Sequence, residues 1–223
     1  MLIDVLSGNF SLYTLLSSVM ASLILIFLVS PLHELAHGFA AVKLGDNTPR
    51  WQGRMTLNPM AHIDFLGSLM IILFGFGWAK PVQVNMYNFK NPKRDMAITA
   101  LAGPLSNFLV AVVLGIFSAP LYVWAGTSDK AFPTIVFQLV YYLIIFNIYI
   151  GLFNLIPIAP LDGSRILSAV LPNRYYYMIM RLERYSFFII MVLFYGLNIG
   201  AGISGIASRF FFALLRLSQL IFF

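Results

Sequence analysis

Two histidines and a glutamate sit close together in Pro31-Leu-His33-Glu34-Leu-Ala-His37-Gly38, within a run that is otherwise apolar. On a helix, His33 and His37 project from one face, four residues apart, and can grip a single metal ion. Glu34 is placed beside them to take a proton from water activated at that metal rather than to bind the metal itself. This is the arrangement of metal-assisted hydrolysis. From Leu12 to Leu32 the chain carries no charge, and no Lys or Arg precedes Lys43. An ionised acid near the centre of a bilayer costs on the order of 3 kcal/mol on insertion scales, so such a cluster is a functional site by default. Chance alone would bring the three fixed residues together in roughly one chain in a hundred of this length.

The elements that position this cluster have to be membrane helices. Of the 223 residues 60% are hydrophobic and 10% charged, and the mean hydropathy is +0.87. Soluble domains carry about 25% charged residues, so the composition is that of an integral membrane protein. The apolar segments are continuous rather than alternating, which favours helices over a barrel. We expect one membrane domain over residues 1–223, an all-α polytopic fold of about 4–6 membrane helices, with no room for a separate soluble domain. A net charge of +6 would suggest nucleic acid in a soluble protein. Here most basic residues fall in short loops, as the positive-inside rule expects, so the bilayer is the partner and nucleic acid is not. With no cysteine in the chain, a metal must be held by His, Asp or Glu. A cleavable signal peptide is not expected, because the first ten residues lack a basic residue and Asp4 is acidic.

The first apolar segment runs from about Leu12 through Val42, with Pro31 placed to kink it. Lys43 lies about 9 Å beyond His37 along a helix, so the motif sits within the membrane nearer that end. Lys43, Arg50 and Arg54 put this end in the cytoplasm and the N-terminus outside. The apolar run Phe65 to Trp78 is short for a span, contains Gly67, Gly75 and Gly77, and suits a re-entrant or interfacial hairpin. Partial alternation of Val82, Val84 and Met86 with Gln83 and Asn85 predicts an edge strand over 82–86 at the cytoplasmic surface. Ala97 to Phe117 and Pro133 to about Pro157 read as further spans joined by an external connection. Arg165, Arg174, Arg181 and Arg184 mark the return to the cytoplasm. The last apolar region, Tyr185 to Phe223, is either one span with an interfacial helix or two spans.

A catalytic zinc site usually has three protein ligands and an open fourth position. Candidates for the third are Asp4, Asp46, His62, Asp64, Asp95, Asp129, Asp162 and Glu183. Most lie in polar loops. Asp162 instead follows the apolar run Asn154-Leu-Ile-Pro157-Ile-Ala-Pro160-Leu, which returns to the level of His33 and His37. Pro157 and Pro160 deny a helix its regular hydrogen bonds there, and Gly163 permits close approach. Asp162 is either the third ligand or the cap of a helix starting near Ser164. Asn154 reads as structural, bonding backbone freed by Pro157. His62 reads as a loop histidine bonded to backbone.

Together, His33-Glu-Leu-Ala-His37, Gly103-Pro-Leu-Ser-Asn107 and Asn154-x-x-Pro157-x-x-x-x-Asp162-Gly163 resemble the three signatures of site-2 protease-type intramembrane zinc metalloproteases. Order, spacing and membrane placement agree, over most of residues 20–171. The resemblance implies one zinc ion per chain on His33, His37 and Asp162, with Glu34 as general base. It implies transmembrane protein substrates, cut in or near their spans, while the skew of basic residues puts the active site nearer the cytoplasmic face. It also suggests a substrate-binding or transition-state role for Asn107, for which a helix-packing amide is the alternative. The chain resembles the minimal branch of the family, without PDZ or CBS domains. The strand at 82–86 either pairs with an unwound substrate by edge addition or is a membrane-surface strand with no partner. A metal transporter would want several ligands along a path, and three histidines in total argue against it. A catalytically inactive scaffold would not need Glu34 between the histidines. One tightly held zinc per chain separates the enzyme from both.

Overall fold

The computed structural model describes residues 19, 20, 22–74, 77–172 and 183–223. In chain order the main helices are α1 (Ser22–Leu44), α2 (Phe65–Phe74), α3 (Pro92–Ile116), α4 (Ser118–Thr127), α5 (Ala131–Asn154), α6 (Asp162–Val170) and α7 (Ile199–Phe222). Among the described residues α1, α3, α5 and α7 are long and apolar enough to cross a membrane. At 1.5 Å per residue each runs about 35 Å, which exceeds the hydrocarbon core. The chain is thus an all-helical, polytopic membrane protein. The expected start of the first segment at Leu12, Asp4, and the basic residues Arg174 and Arg181 lie outside the described residues.

Pro31 has no amide hydrogen, and its ring would clash with the carbonyl a turn earlier. In α1 the turn before it, Leu25–Val29, is widened into a π-helix, and regular helix follows from Ser30. At the other end Gly45 takes a left-handed conformation (φ 113°) and its N–H returns to the carbonyls of Ala41 and Val42, closing the helix. The core lies where α3, α5 and α7 meet, built from Ala111, Ile144, Ile148, Ala207, Phe211 and Leu214. Outward, α3 and α7 present Leu105, Leu109, Val113, Phe212 and Leu220. Lipid tails are as apolar as these side chains, so close packing and hydrogen bonds, rather than burial of apolar surface, hold the bundle together. Where α3 breaks into α4, Ser218 of α7 donates to the Ile116 carbonyl (2.6 Å) and accepts from the Ala119 N–H (3.0 Å). The freed backbone groups are thereby satisfied without water.

The region read as one or two spans after Tyr185 divides at Asn198, which has φ 50°. Ser186–Met191 and the π turn Val192–Gly196 precede this break, and α7 follows it.

No strand forms among the described residues, so the edge strand expected at 82–86 is corrected. Residues 79–85 belong to no helix or ladder, and Met86–Asn88 is a 3-10 turn. Carboxylates take donors that a neighbouring strand would need. The Val82 N–H goes to Glu34 Oε2 (2.7 Å) and the Asn85 N–H to Asp46 Oδ2 (2.7 Å). Asp46 is fully buried and also accepts from the Thr48 N–H, the Thr48 hydroxyl and the Asn88 amide. Burial pushes its carboxyl up, but these donors outweigh burial and hold it below the ordinary carboxylate range.

A depressed folded-state pKa contributes stability that is complete above the unfolded value and lost as pH falls through the folded one. Asp46→Asn should therefore melt several degrees below wild type near neutrality, about 1–3 kcal/mol for a buried acceptor removed. The gap should begin to close below about pH 4, where the unfolded chain takes up its proton, and should go on closing as pH falls toward the lower value at which the folded carboxylate is itself protonated. Thermal melts of both proteins in one detergent across pH 3–8 check this; a gap independent of pH contradicts it.

Candidate metal centre

His33 and His37 lie one above the other on the face of α1 that packs against α3, and both are buried. Three successive turns of α3 meet them through Thr99, Gly103 and Asn107. The Thr99 carbonyl is 2.8 Å from His37 Nδ1, and Asn107 Oδ1 is 2.5 Å from His33 Nδ1. Between them a Cβ at Gly103 would overlap both imidazoles. Only glycine lets the two helices approach this closely with the rings between them.

Asp162 is the first residue of α6. A Cβ at Gly163 would overlap the Leu155 and Ile156 carbonyls, so the first turn of α6 is folded back hard against the end of α5. That fold-back carries the Asp162 carboxylate to α1. Its Oδ2 lies 3.2 Å from His33 Nε2 and 3.2 Å from His37 Nε2, and the two nitrogens are 3.0 Å apart. Leu161, not Asp162, occupies the cap position of α6, with no side-chain cap bond.

This arrangement fits a zinc ion. A backbone carbonyl only accepts, so His37 carries its proton on Nδ1 and presents a bare Nε2. Asn107 Oδ1 imposes the same tautomer on His33. Two lone pairs and a carboxylate oxygen then converge, and Asp162 Oδ2 is buried without a hydrogen-bond partner. Such atoms repel one another unless a cation lies between them. With bonds of 2.0–2.1 Å, ligand atoms around tetrahedral zinc are about 3.4 Å apart, close to the separations seen here. Outward hydrogen bonds from both ligating histidines are also usual in zinc sites.

The remaining candidates are placed elsewhere. Asp64 accepts from the Gly67 N–H at the start of α2, Asp95 from the Asn91 N–H at the start of α3, and Asp129 is exposed. Asp4 and the Glu183 side chain are outside what the structure describes. His62 is buried, with Nε2 donating to the Thr56 carbonyl (2.9 Å). Asn154 donates to Ile150 of its own helix (3.1 Å) rather than to backbone freed by Pro157. Glu34 is half-buried beside the cluster, one oxygen held by Val82. Asn107 is wholly buried behind His33, its Oδ1 facing the ring and its Nδ2 donating to Asn147 Oδ1 (2.9 Å). The Thr99 carbonyl and Asn147 are missing from the motifs; the four-residue spacing Thr99, Gly103, Asn107 was the available signal. A cavity of about 290 Å³ lies between residues 84–87 and the first turns of α6.

Comparison with known proteins agrees with this chemistry. Residues 117–197 match the family described as Peptidase family M50. YwhC of Bacillus subtilis is 38% identical over 178 residues, covering 79% of this chain and 81% of that protein. MJ0392 of Methanocaldococcus jannaschii, named a zinc metalloprotease, is 30% identical over 155 residues, covering 70% of this chain and 35% of that one. No solved structure matches significantly. The chain belongs to peptidase family M50, the site-2 protease family, and is an intramembrane zinc metalloprotease.

Gly103→Ala tests the packing directly. The added methyl must displace the imidazoles, so zinc per chain in purified protein should fall well below that of wild type while the helical content is kept. Metal analysis alongside circular dichroism reads both; full zinc occupancy would show that the rings have room to spare.

Proposed function

We propose that His33, His37 and Asp162 hold one zinc ion per chain and that Glu34 is the general base for cleavage of peptide bonds in or near transmembrane segments. The convergence of three acceptor atoms, one of them orphaned, carries this reading. When bound, zinc supplies Lewis acidity toward the scissile carbonyl and toward water. Glu34 takes the proton from that water and delivers it to the departing amine. The Val82 N–H holds one carboxylate oxygen and so fixes the direction in which the base points. Both ends of the Asn107 amide are engaged within the protein, which favours a role behind His33 over contact with substrate.

A peptide bond inside a helix is shielded by its own hydrogen bonds, so the substrate enters locally unwound. The cavity suits such a segment, because one wall continues the strip tied to Glu34 and the other belongs to the turn carrying Asp162. The skew of basic residues toward Lys43, Lys80, Lys90, Lys93 and Arg94 supports a site nearer the cytoplasmic face of a single membrane domain.

Glu34→Gln keeps the shape of the base and removes its function. Zinc should stay bound while cleavage of a reconstituted span with Gly-Pro in its cytoplasmic third drops at least about a hundredfold. Asp162→Ala should instead lose zinc and cleavage together. Near-normal turnover in the first, or full zinc in the second, ends the assignment.

Topology has its own test. Of two single cysteines, one replacing Ser128 should react with an impermeant reagent outside the cell, and one replacing Asn47 should not. The reverse pattern would put the site near the outer face.

A further inference from the structure

The hydrogen bonds behind His33 do not stop at Asn107. Asn147, in the middle of α5, is buried between the core residues Ile144 and Ile148. Its Nδ2 donates to the Leu143 carbonyl (2.8 Å) and its Oδ1 accepts from Asn107 Nδ2 (2.9 Å). Asn107 Oδ1 in turn faces His33 Nδ1 (2.5 Å). A side-chain amide can serve either way round, but a backbone carbonyl has no proton to give. Leu143 therefore decides the whole series. Asn147 must turn its nitrogen to Leu143, Asn107 must turn its nitrogen to Asn147, and His33 must hold its proton on Nδ1.

We propose that Asn147 is a positioning residue of the metal centre, which fixes through Asn107 the tautomer that leaves His33 Nε2 bare. The proposal rests on the reading of His33 as a zinc ligand. His37 needs no such device, since its Nδ1 meets the Thr99 carbonyl directly. Helix α5 does not need the amide either: the Leu143 carbonyl is already within reach of the helical N–H of Asn147, and a leucine would suit the surrounding core. The non-local hydrogen bond of the Asn147 side chain is the one to Asn107. Without it, Asn107 has no acceptor for its nitrogen and is free to turn that nitrogen toward His33. The ring proton then moves to Nε2, where Asp162 Oδ2 stands 3.2 Å away to receive it. That new bond stabilises the metal-free centre and competes with zinc.

Asn147→Thr and Asn147→Val have nearly the same shape and differ in the hydroxyl. A threonine on a helix donates to the carbonyl four residues back, leaving a lone pair toward Asn107, whereas valine offers none. Zinc affinity, measured by chelator competition on detergent-solubilised protein, should be about 10- to 100-fold weaker in Asn147→Val than in wild type, the usual loss for an outer partner of a metal ligand. Asn147→Thr should recover most of it. With three histidines in the chain, ¹⁵N-histidine spectra of the zinc-free protein should show His33 as the Nδ1–H form in wild type and the Nε2–H form in Asn147→Val. In an Asn107→Leu background, Asn147→Val should weaken zinc no further. Equal affinities for Thr and Val variants, or an unchanged tautomer in Asn147→Val, would reduce Asn147 to packing and overturn the proposal. Should the β-branched variants not fold, Asn147→Leu against wild type gives the same two readouts. If wild type bound no zinc or cleaved nothing, the protease reading of the site would fail, yet the tautomer spectra would still decide whether Asn147 acts on His33.

Discussion

Three acceptor atoms, His33 Nε2, His37 Nε2 and Asp162 Oδ2, face one another within 3.2 Å in a buried pocket of a membrane protein. Nothing in that trio attracts anything else in it once both rings are protonated on their outer nitrogens. In a medium of low dielectric the repulsion is strong, and a cation relieves it. The protein therefore has to hold the three groups against their own repulsion before a metal arrives. Much of the fold can be understood as the means of doing so.

Helix α3 supplies most of that restraint. Its Thr99 carbonyl, Gly103 and Asn107 form a wall with two hydrogen-bonding groups and a gap, spaced by successive turns. The gap admits the imidazoles and the hydrogen bonds orient them. A helix pair in lipid gains little from burying apolar surface, so close contact at glycine and interhelical polar bonds matter more here than in a soluble core. The same economy appears at Gly163, where backbone-to-backbone contact brings Asp162 to α1, and at Ser218, which satisfies the broken junction between α3 and α4.

The segment 79–88 is bound to α1 and to the turn after it by two carboxylates. Glu34 holds Val82, and Asp46 holds Asn85 and Asn88. Chain that would otherwise have offered a free strand edge is tied to Glu34, the proposed base, at one point and to a buried structural acid at another. A substrate lying along this strip would touch backbone that is one hydrogen bond from Glu34.

Local geometry made much of this legible in advance. The spacing of His33 and His37 determines a shared helix face whatever the rest of the chain does, and continuous apolar runs determine spans because every backbone group in lipid must bond within its own segment. Asp162 could be singled out but not separated from a helix cap, since both readings need the same acid before the same glycine. The strand at 82–86 was misjudged because alternation reports side-chain direction and says nothing about which partner takes the N–H groups; two distant carboxylates took them. Asn154 was misjudged for a related reason, its amide reaching back along its own helix instead of forward. Asn107 was singled out by its motif but not assigned between substrate contact and packing, and Asn147 lay furthest from view. The sequence by itself determined that two histidines and a glutamate, at the spacing of a metal site, sit in a membrane helix. Which amide faces which ring depends on where α1, α3 and α5 cross and at what register, and only tertiary packing decides that, because residues 33, 107 and 147 share no local periodicity.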